Sequence, residues 1–334
     1  MNRRQIIDAF LDNKTPERIP TAFWYHFVSF HDHYNYDDSE VYNTVITKQK
    51  QYIDEVKPDF IKIMSDGFFG HPSVSSKLIE TIDDLKDVKS VGKDHEWIIK
   101  QVEYVKEVCD YAGQDVYKYY NIFSPLQYIR LRFEEYDEDF TKFVRLFKED
   151  REVMIQAAKN IAEDIKILIK KLFEETSIDG IYYSVQSVQD KEFTHDMHKE
   201  YVEPLDLLLL EYINEFTDNV ILHICGYAHY TNNLEWYADY PAKVFNWAVY
   251  TEEVDLKDGK KIFKGKPVLG GFDNNLGSIL YEGTEEELRK EIYRILDAAG
   301  TDGVGIGADC TIDSNIPTDR LKLIRKIASE YLNK

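Results

Sequence analysis

The chain has 334 residues, 41 lysines and arginines against 61 aspartates and glutamates, and a formal net charge of -20. A surface of that sign repels nucleic acid and anionic membranes, which argues against both as main partners and favours a small molecule or another protein. With no apolar signal core at the N-terminus, no run long enough to span a membrane, and three cysteines, an odd number that reads as thiols or metal ligands, a cytoplasmic protein is expected.

Residues 2–12 carry Ile6, Ile7, Phe10 and Leu11 on one helical face, ended by Asn13-Lys14 and Pro16. Arg18-Ile19-Pro20 leads into a short aromatic strand at 21–27 that includes Trp24, Tyr25 and His26. In the acidic, aromatic run from Phe30 to Glu40, His31-Asp32-His33 resembles a ligand cluster but is expected to be an exposed loop. A helix over 39–57 then leads through Pro58 to a strand at 59–67, whose polar end places Asp66 at a strand terminus.

The order repeats down the chain. A helix at 95–111, with Cys109 as core, precedes a strand at 116–122, a Ser124-Pro125 turn and helices to about 175. The strand 179–186 ends at Gln186, and a long helix at 197–217 leads to the strand 220–225. A helix near 232–239, a strand at 242–249, a helix around 252–263 and a strand ending at Asp273 follow. Helix 284–299 opens on Thr284 and Glu287 in a capping-box pattern, then come strand 303–309 and, through Pro317, helix 318–332.

Eight strands alternating with helices, with no linker between them, predict a single-domain α/β fold, a closed (β/α)8 TIM barrel with an N-terminal helical extension. An open doubly wound sheet is the competing architecture. A barrel places its active site at the C-terminal strand ends, where His26, Asp66, Gln186, His223, Cys225, Asp273 and Cys310 all fall.

His223 and Cys225 are two residues apart on a strand and therefore share a face. Either strand alone reads as well as packed core, but two cysteines and a histidine at separate strand ends suit zinc and leave one coordination position open. Two thiolates cancel the charge of zinc, which makes it a poor activator of water and a good one of a substrate thiol. Alkyl transfer to a thiol fits such a centre best.

His223-Ile224-Cys225-Gly226, Gly270-Gly271-Phe272-Asp273-Asn274, Gly283-Thr284-Glu285-Glu286-Glu287 and Pro317 together resemble the C-terminal half of the uroporphyrinogen decarboxylase superfamily. Arg18-Ile19-Pro20 and Ser65-Asp66 are the best early matches. The cationic segment by which the decarboxylases hold substrate carboxylates is replaced here by Trp24-Tyr25-His26-Phe27, and their Gly-His-Gly by Ala308-Asp309-Cys310. His223, Cys225 and Cys310 are instead similar to the zinc ligands of the methylcobamide:coenzyme M methyltransferase branch.

That resemblance implies a zinc-dependent transfer of a methyl group from a methyl-corrinoid, bound to a partner protein, to a small-molecule thiol. Asp66 and Asp273 are then catalytic candidates, as fourth ligand or substrate-positioning groups, and read equally well as helix-cap or turn residues. Trp24, Tyr25, His26 and Gln186 are expected to bind substrate, with simple packing as the alternative for the aromatics. The runner-up activity is conversion of uroporphyrinogen III to coproporphyrinogen III, and a third reading is a non-catalytic corrinoid or porphyrin binder. A homodimer is compatible with all three.

Overall fold

The computed structural model describes residues 1–333. Its eight strands are β1 (Thr21–Ala22), β2 (Phe60–Ile63), β3 (Tyr117–Phe123), β4 (Gly180–Val185), β5 (Val220–Ile224), β6 (Val244–Trp247), β7 (Val268–Phe272) and β8 (Val304–Ala308). All pairings are parallel and run in the order β1-β8-β7-β6-β5-β4-β3-β2, so the sheet is a nearly closed barrel with helices between its strands. Helix Arg3–Leu11 buries Ile6, Ile7, Phe10 and Leu11 and packs Phe10 close to Gly305 of β8, which places it under the N-terminal end of the barrel. No helix among the described residues is long and apolar enough to cross a membrane.

The seam between β1 and β2 departs from the expected closure. The first strand is two residues long, not seven, and the chain beyond it pairs again only through the isolated bridge from Tyr25 to Ile312, past the end of β8. Carboxylates of the β2 segment replace the missing ladder. Asp59, fully buried, accepts from Thr21 N at 2.9 Å and from both terminal nitrogens of Arg18, and Asp66 Oδ2 accepts from Phe27 N at 2.6 Å. Each carboxylate supplies acceptors where a neighbouring strand would have supplied carbonyls. Asp59→Ala should therefore cost about 3 kcal/mol, because it strands a guanidinium and a buried N–H together; urea unfolding measures the loss.

Elsewhere the helices start where their caps dictate. Ser124 caps Pro125–Leu131 with Pro125 in the first turn, so the expected turn is the beginning of a helix. Thr284 and Glu287 exchange the reciprocal bonds of a capping box at Glu285–Ala299. The helix expected over 252–263 is split at Glu253, whose left-handed φ of 53° ends Val249–Glu252 before Asp255 caps Leu256–Ile262. The one expected over 197–217 contains a π-turn at His198–Val202, and that near 232–239 is only a 3-10 turn, Leu234–Tyr237.

Strands covered by helices on one side and by the barrel core on the other are buried along their length. The barrel interior is nevertheless polar near the C-terminal end. Asn121 donates to Ser65 Oγ at 2.7 Å and accepts from Ser184 Oγ at 3.3 Å, linking β3 and β4 to the chain just past β2. Lys62, Tyr182, His223 and Asn246 are all buried in the same region.

Candidate metal centre and cleft

His223 on β5 and Cys225 just beyond it are met by Cys310, which follows the end of β8. One donor atom from each lies within 4.8 Å of the others, and His223 Nε2 is 3.5 Å from Cys310 Sγ. The chain after Cys225 has to turn tightly: a Cβ on Gly226 would sit 2.5 Å from Ala248 Cβ, so only glycine lets the loop follow this path. Asn232 Nδ2 donates to Cys225 O at 2.9 Å and ties the loop back.

Asn246 of β6 settles the histidine tautomer. Its Nδ2 donates to Leu269 O at 2.9 Å and Ala308 O at 3.3 Å, which leaves Oδ1 to accept from Tyr182 OH at 2.7 Å and from His223 Nδ1 at 2.5 Å. The proton is thus on Nδ1, and the Nε2 lone pair points to the sulfurs. Without a metal, the hydrogen bond between the two sulfurs raises Cys225 and lowers Cys310, so Cys310 ionises first, helped by His223 and Lys62. Among the described residues this cluster has three donors, two of them sulfur, the set and number that suit zinc with one position left over.

Two connected spaces lie over the cluster. An outer cleft of about 420 Å³ is lined by His26, Phe30, Glu135, Tyr227, Asn274 and Cys310, among others, and an inner space of about 70 Å³ by Lys62, Asn121, His223, Cys225 and Cys310. His26, Glu135, Tyr227, Cys310 and Thr311 line both. The Lys62 ammonium lies 4.0 Å from the Tyr182 ring centre and 5.0 Å from that of Trp24; burial pushes it down to about 8 against the pull of Cys310, Cys225 and Asp66.

Bordering the same two spaces, His26 Nδ1 meets Asp66 Oδ1 at 2.7 Å. Burial would lower His26 and raise Asp66, but their mutual attraction prevails and holds His26 above, and Asp66 below, its ordinary range. The run His31-Asp32-His33 is not an exposed loop: Phe30–Tyr34 forms a 3-10 turn that leaves His31 outside and drives His33 inward, to 2% exposure, against the His26 and Phe69 rings. Apolar packing on Phe69 outweighs the polarity that the sequence shows there.

The other residues singled out in the sequence lie apart from the cluster. Trp24 is part of the barrel floor, edge-on to Tyr182, and Tyr25 packs on Phe27 and Tyr52. Gln186 Nε2 donates to Tyr227 O at 3.2 Å and so steadies the cleft-lining loop. Asp273 accepts from Asn275 N at 2.9 Å and from its side-chain amide at 2.6 Å, a turn cap that presents Asn274 and Asn275 to the cleft. Cys109 is buried core.

Lys62, Asn246 and Glu135 enter the site without having been singled out. A lysine and an asparagine inside apolar strands that must be buried on both faces are a readable signal, whereas Glu135 sits on a π-turn, Arg132–Tyr136, that leaves none. Burial pushes Glu135 up to about 7 although Tyr34 OH donates to it at 2.9 Å. The unfolded chain therefore releases this proton near 4.5 while the folded one retains it to about 7, and stability falls across that window as the pH rises. Glu135→Gln should gain stability over wild type between pH 4.5 and pH 7 and no further above it, as urea midpoints at each pH will show.

No protein-family model matches the chain. It is 23% identical over 261 residues, 78% of this chain and 72% of the relative, to the methylcobamide:CoM methyltransferase MtbA of Methanosarcina mazei. Among solved structures, a methyltransferase from Methanosarcina mazei superposes with a TM-score of 0.72, covering 99% of each chain at 12% identity. A B12-independent methionine synthase from Shewanella sp. W3-18-1 follows with a TM-score of 0.56, covering 95% of this chain and 98% of that one, also at 12% identity. At such identities the two structural likenesses establish the barrel fold.

Proposed function

We propose that this chain is a zinc-dependent methyltransferase that moves a methyl group from a methyl-corrinoid, carried by a partner protein, to a small-molecule thiol. The observation that carries this reading is the convergence of His223, Cys225 and Cys310 beside a cleft, with three protein donors and room for a fourth; the likeness to a methylcobamide:CoM methyltransferase supports it. Zinc held by these residues would keep an acceptor sulfur ionised at neutral pH yet nucleophilic, because two protein thiolates already cancel its charge.

The chain's own groups divide the remaining work. Asn246 holds His223 in the tautomer that frees Nε2, and Lys62 places a positive charge where a third sulfur would bring a net negative one. His26, steadied by Asp66, and Glu135 form the polar wall against which the acceptor is oriented. The inner space of about 70 Å³ admits the thiol end of a small molecule, and a macrocycle has to approach from the outer cleft. In the transfer the acceptor sulfur supplies the electron pair of the new S–C bond, and the pair of the broken Co–C bond stays on cobalt.

Zinc-loaded protein should demethylate methylcobalamin in the presence of at least one of a panel of small thiols, followed by its visible absorbance and by mass spectrometry of the thioether. No turnover with any thiol, or steady decarboxylation of uroporphyrinogen III in its place, would overturn the proposal. Among the described residues lining the two spaces Lys62 is the one lysine or arginine, a poor complement to eight substrate carboxylates.

A further inference from the structure

We propose that His26, His33 and Asp66 form a second divalent-metal site in the wall of the cleft, separate from the His223, Cys225 and Cys310 cluster. One donor atom from each lies within 4.8 Å of the others, and the three come from different segments: the chain after β1, the 3-10 turn Phe30–Tyr34 and the chain after β2. The proposal is independent of the methyl-transfer reading, since it rests on none of the residues of the sulfur-containing cluster.

The strongest pointer is His33. It is 2% exposed, and neither ring nitrogen has a hydrogen-bond partner. Buried imidazoles normally bond through at least one nitrogen, because desolvating both without compensation is costly. Its neighbours are the His26 ring, centred 4.2 Å away, and the Phe69 ring at 4.6 Å, so an ion shared with His26 and Asp66 would supply the missing partner.

Asp66 is prepared for the same task. Its Oδ2 is held by Phe27 N at 2.6 Å, which orients Oδ1 toward His26 Nδ1 at 2.7 Å. Two ligands at about 2.1 Å from one ion and at right angles stand about 3 Å apart, so the ion can take the place of the proton these atoms share with only a small separation of the pair. Metal uptake would release that proton. His26 also borders the cleft, so the ion would keep positions open toward it.

The chemistry of the two sites differs. Two imidazoles and a carboxylate prefer first-row divalent ions with nitrogen and oxygen partners, whereas two thiolates select a softer environment. An ion in the wall would therefore take an oxygen or nitrogen donor of the molecule in the cleft, where the other cluster takes sulfur.

Chelator-stripped full-length protein titrated with Co²⁺ alone should bind two ions per chain, counted by plasma mass spectrometry. One should give thiolate-to-cobalt charge-transfer absorption and disappear in Cys310→Ser; the other should lack that absorption and survive in Cys310→Ser. His33→Phe keeps the ring packing on Phe69 and removes the two unpaired nitrogens, so its metal-free fold should unfold no earlier than wild type. In His33→Phe and in Asp66→Asn the count should fall from two to one with the charge-transfer band intact. A wild type whose one ion gives the charge-transfer band, or a second ion retained in both variants, would overturn the proposal.

Discussion

Cys310→Ser is expected to abolish zinc binding at the sulfur-containing cluster, a loss of one ion per chain, and to lower methyl transfer by at least ~100-fold. A serine oxygen has a shorter reach than sulfur and stays protonated at neutral pH, so it replaces neither the bond nor the charge. What remains, one imidazole and one thiol two residues apart at the β5 end, is too few ligands for a zinc site. The side chain is half-buried at a strand end, not packed in the core, so the metal-free variant should unfold within about 1 kcal/mol of the metal-free wild type. Metal analysis, methyl transfer and urea unfolding on the same preparation separate loss of the site from loss of the fold. A zinc count unchanged from that of the wild type would remove Cys310 from the ligand set.

Asn246→Leu should be the most damaging single change in the barrel interior. The residue is fully buried and its amide serves four partners: His223 Nδ1, Tyr182 OH, Leu269 O and Ala308 O. Leucine has nearly the same size but leaves all four unpaired, each at a cost of about 1–3 kcal/mol before relaxation. A loss of about 4 kcal/mol or more is expected by urea denaturation, a large share of the ordinary margin of a folded domain. His223 would also be free to take the other tautomer, and zinc affinity measured against a chromophoric chelator should fall about 10- to 100-fold. Asn246→Asp distinguishes the two effects, since it keeps the acceptor for His223 and Tyr182 and loses only the donors to the two carbonyls. Its zinc affinity should recover more than its stability.

The alternation of apolar strands with capped helices is written in local sequence, because strand and helix periodicities and capping preferences act over a few residues. That is why the eight units, the helix opened by Thr284 and Glu287, and the shared face of His223 and Cys225 are legible from residue order alone. The number of units also specifies a barrel, since a twisted parallel sheet of eight with right-handed crossovers closes on itself.

Only the tertiary structure decided which side chains from remote strands meet. It brought Cys310, just past the last strand, to the end of the fifth, placed Asn246 where its amide sets the His223 tautomer, and turned Lys62 inward over Tyr182. It also reversed the expectation for His33, whose sequence neighbours are polar but whose spatial neighbours, Phe69 and His26, bury it. And it left β1 and β2 unpaired, with Asp59 and Asp66 bonding across the gap in place of a ladder. These are long-range matters of partner and register, and nothing within a few residues of each group encodes them; the elements are determined locally, whereas the site is determined by how the barrel closes.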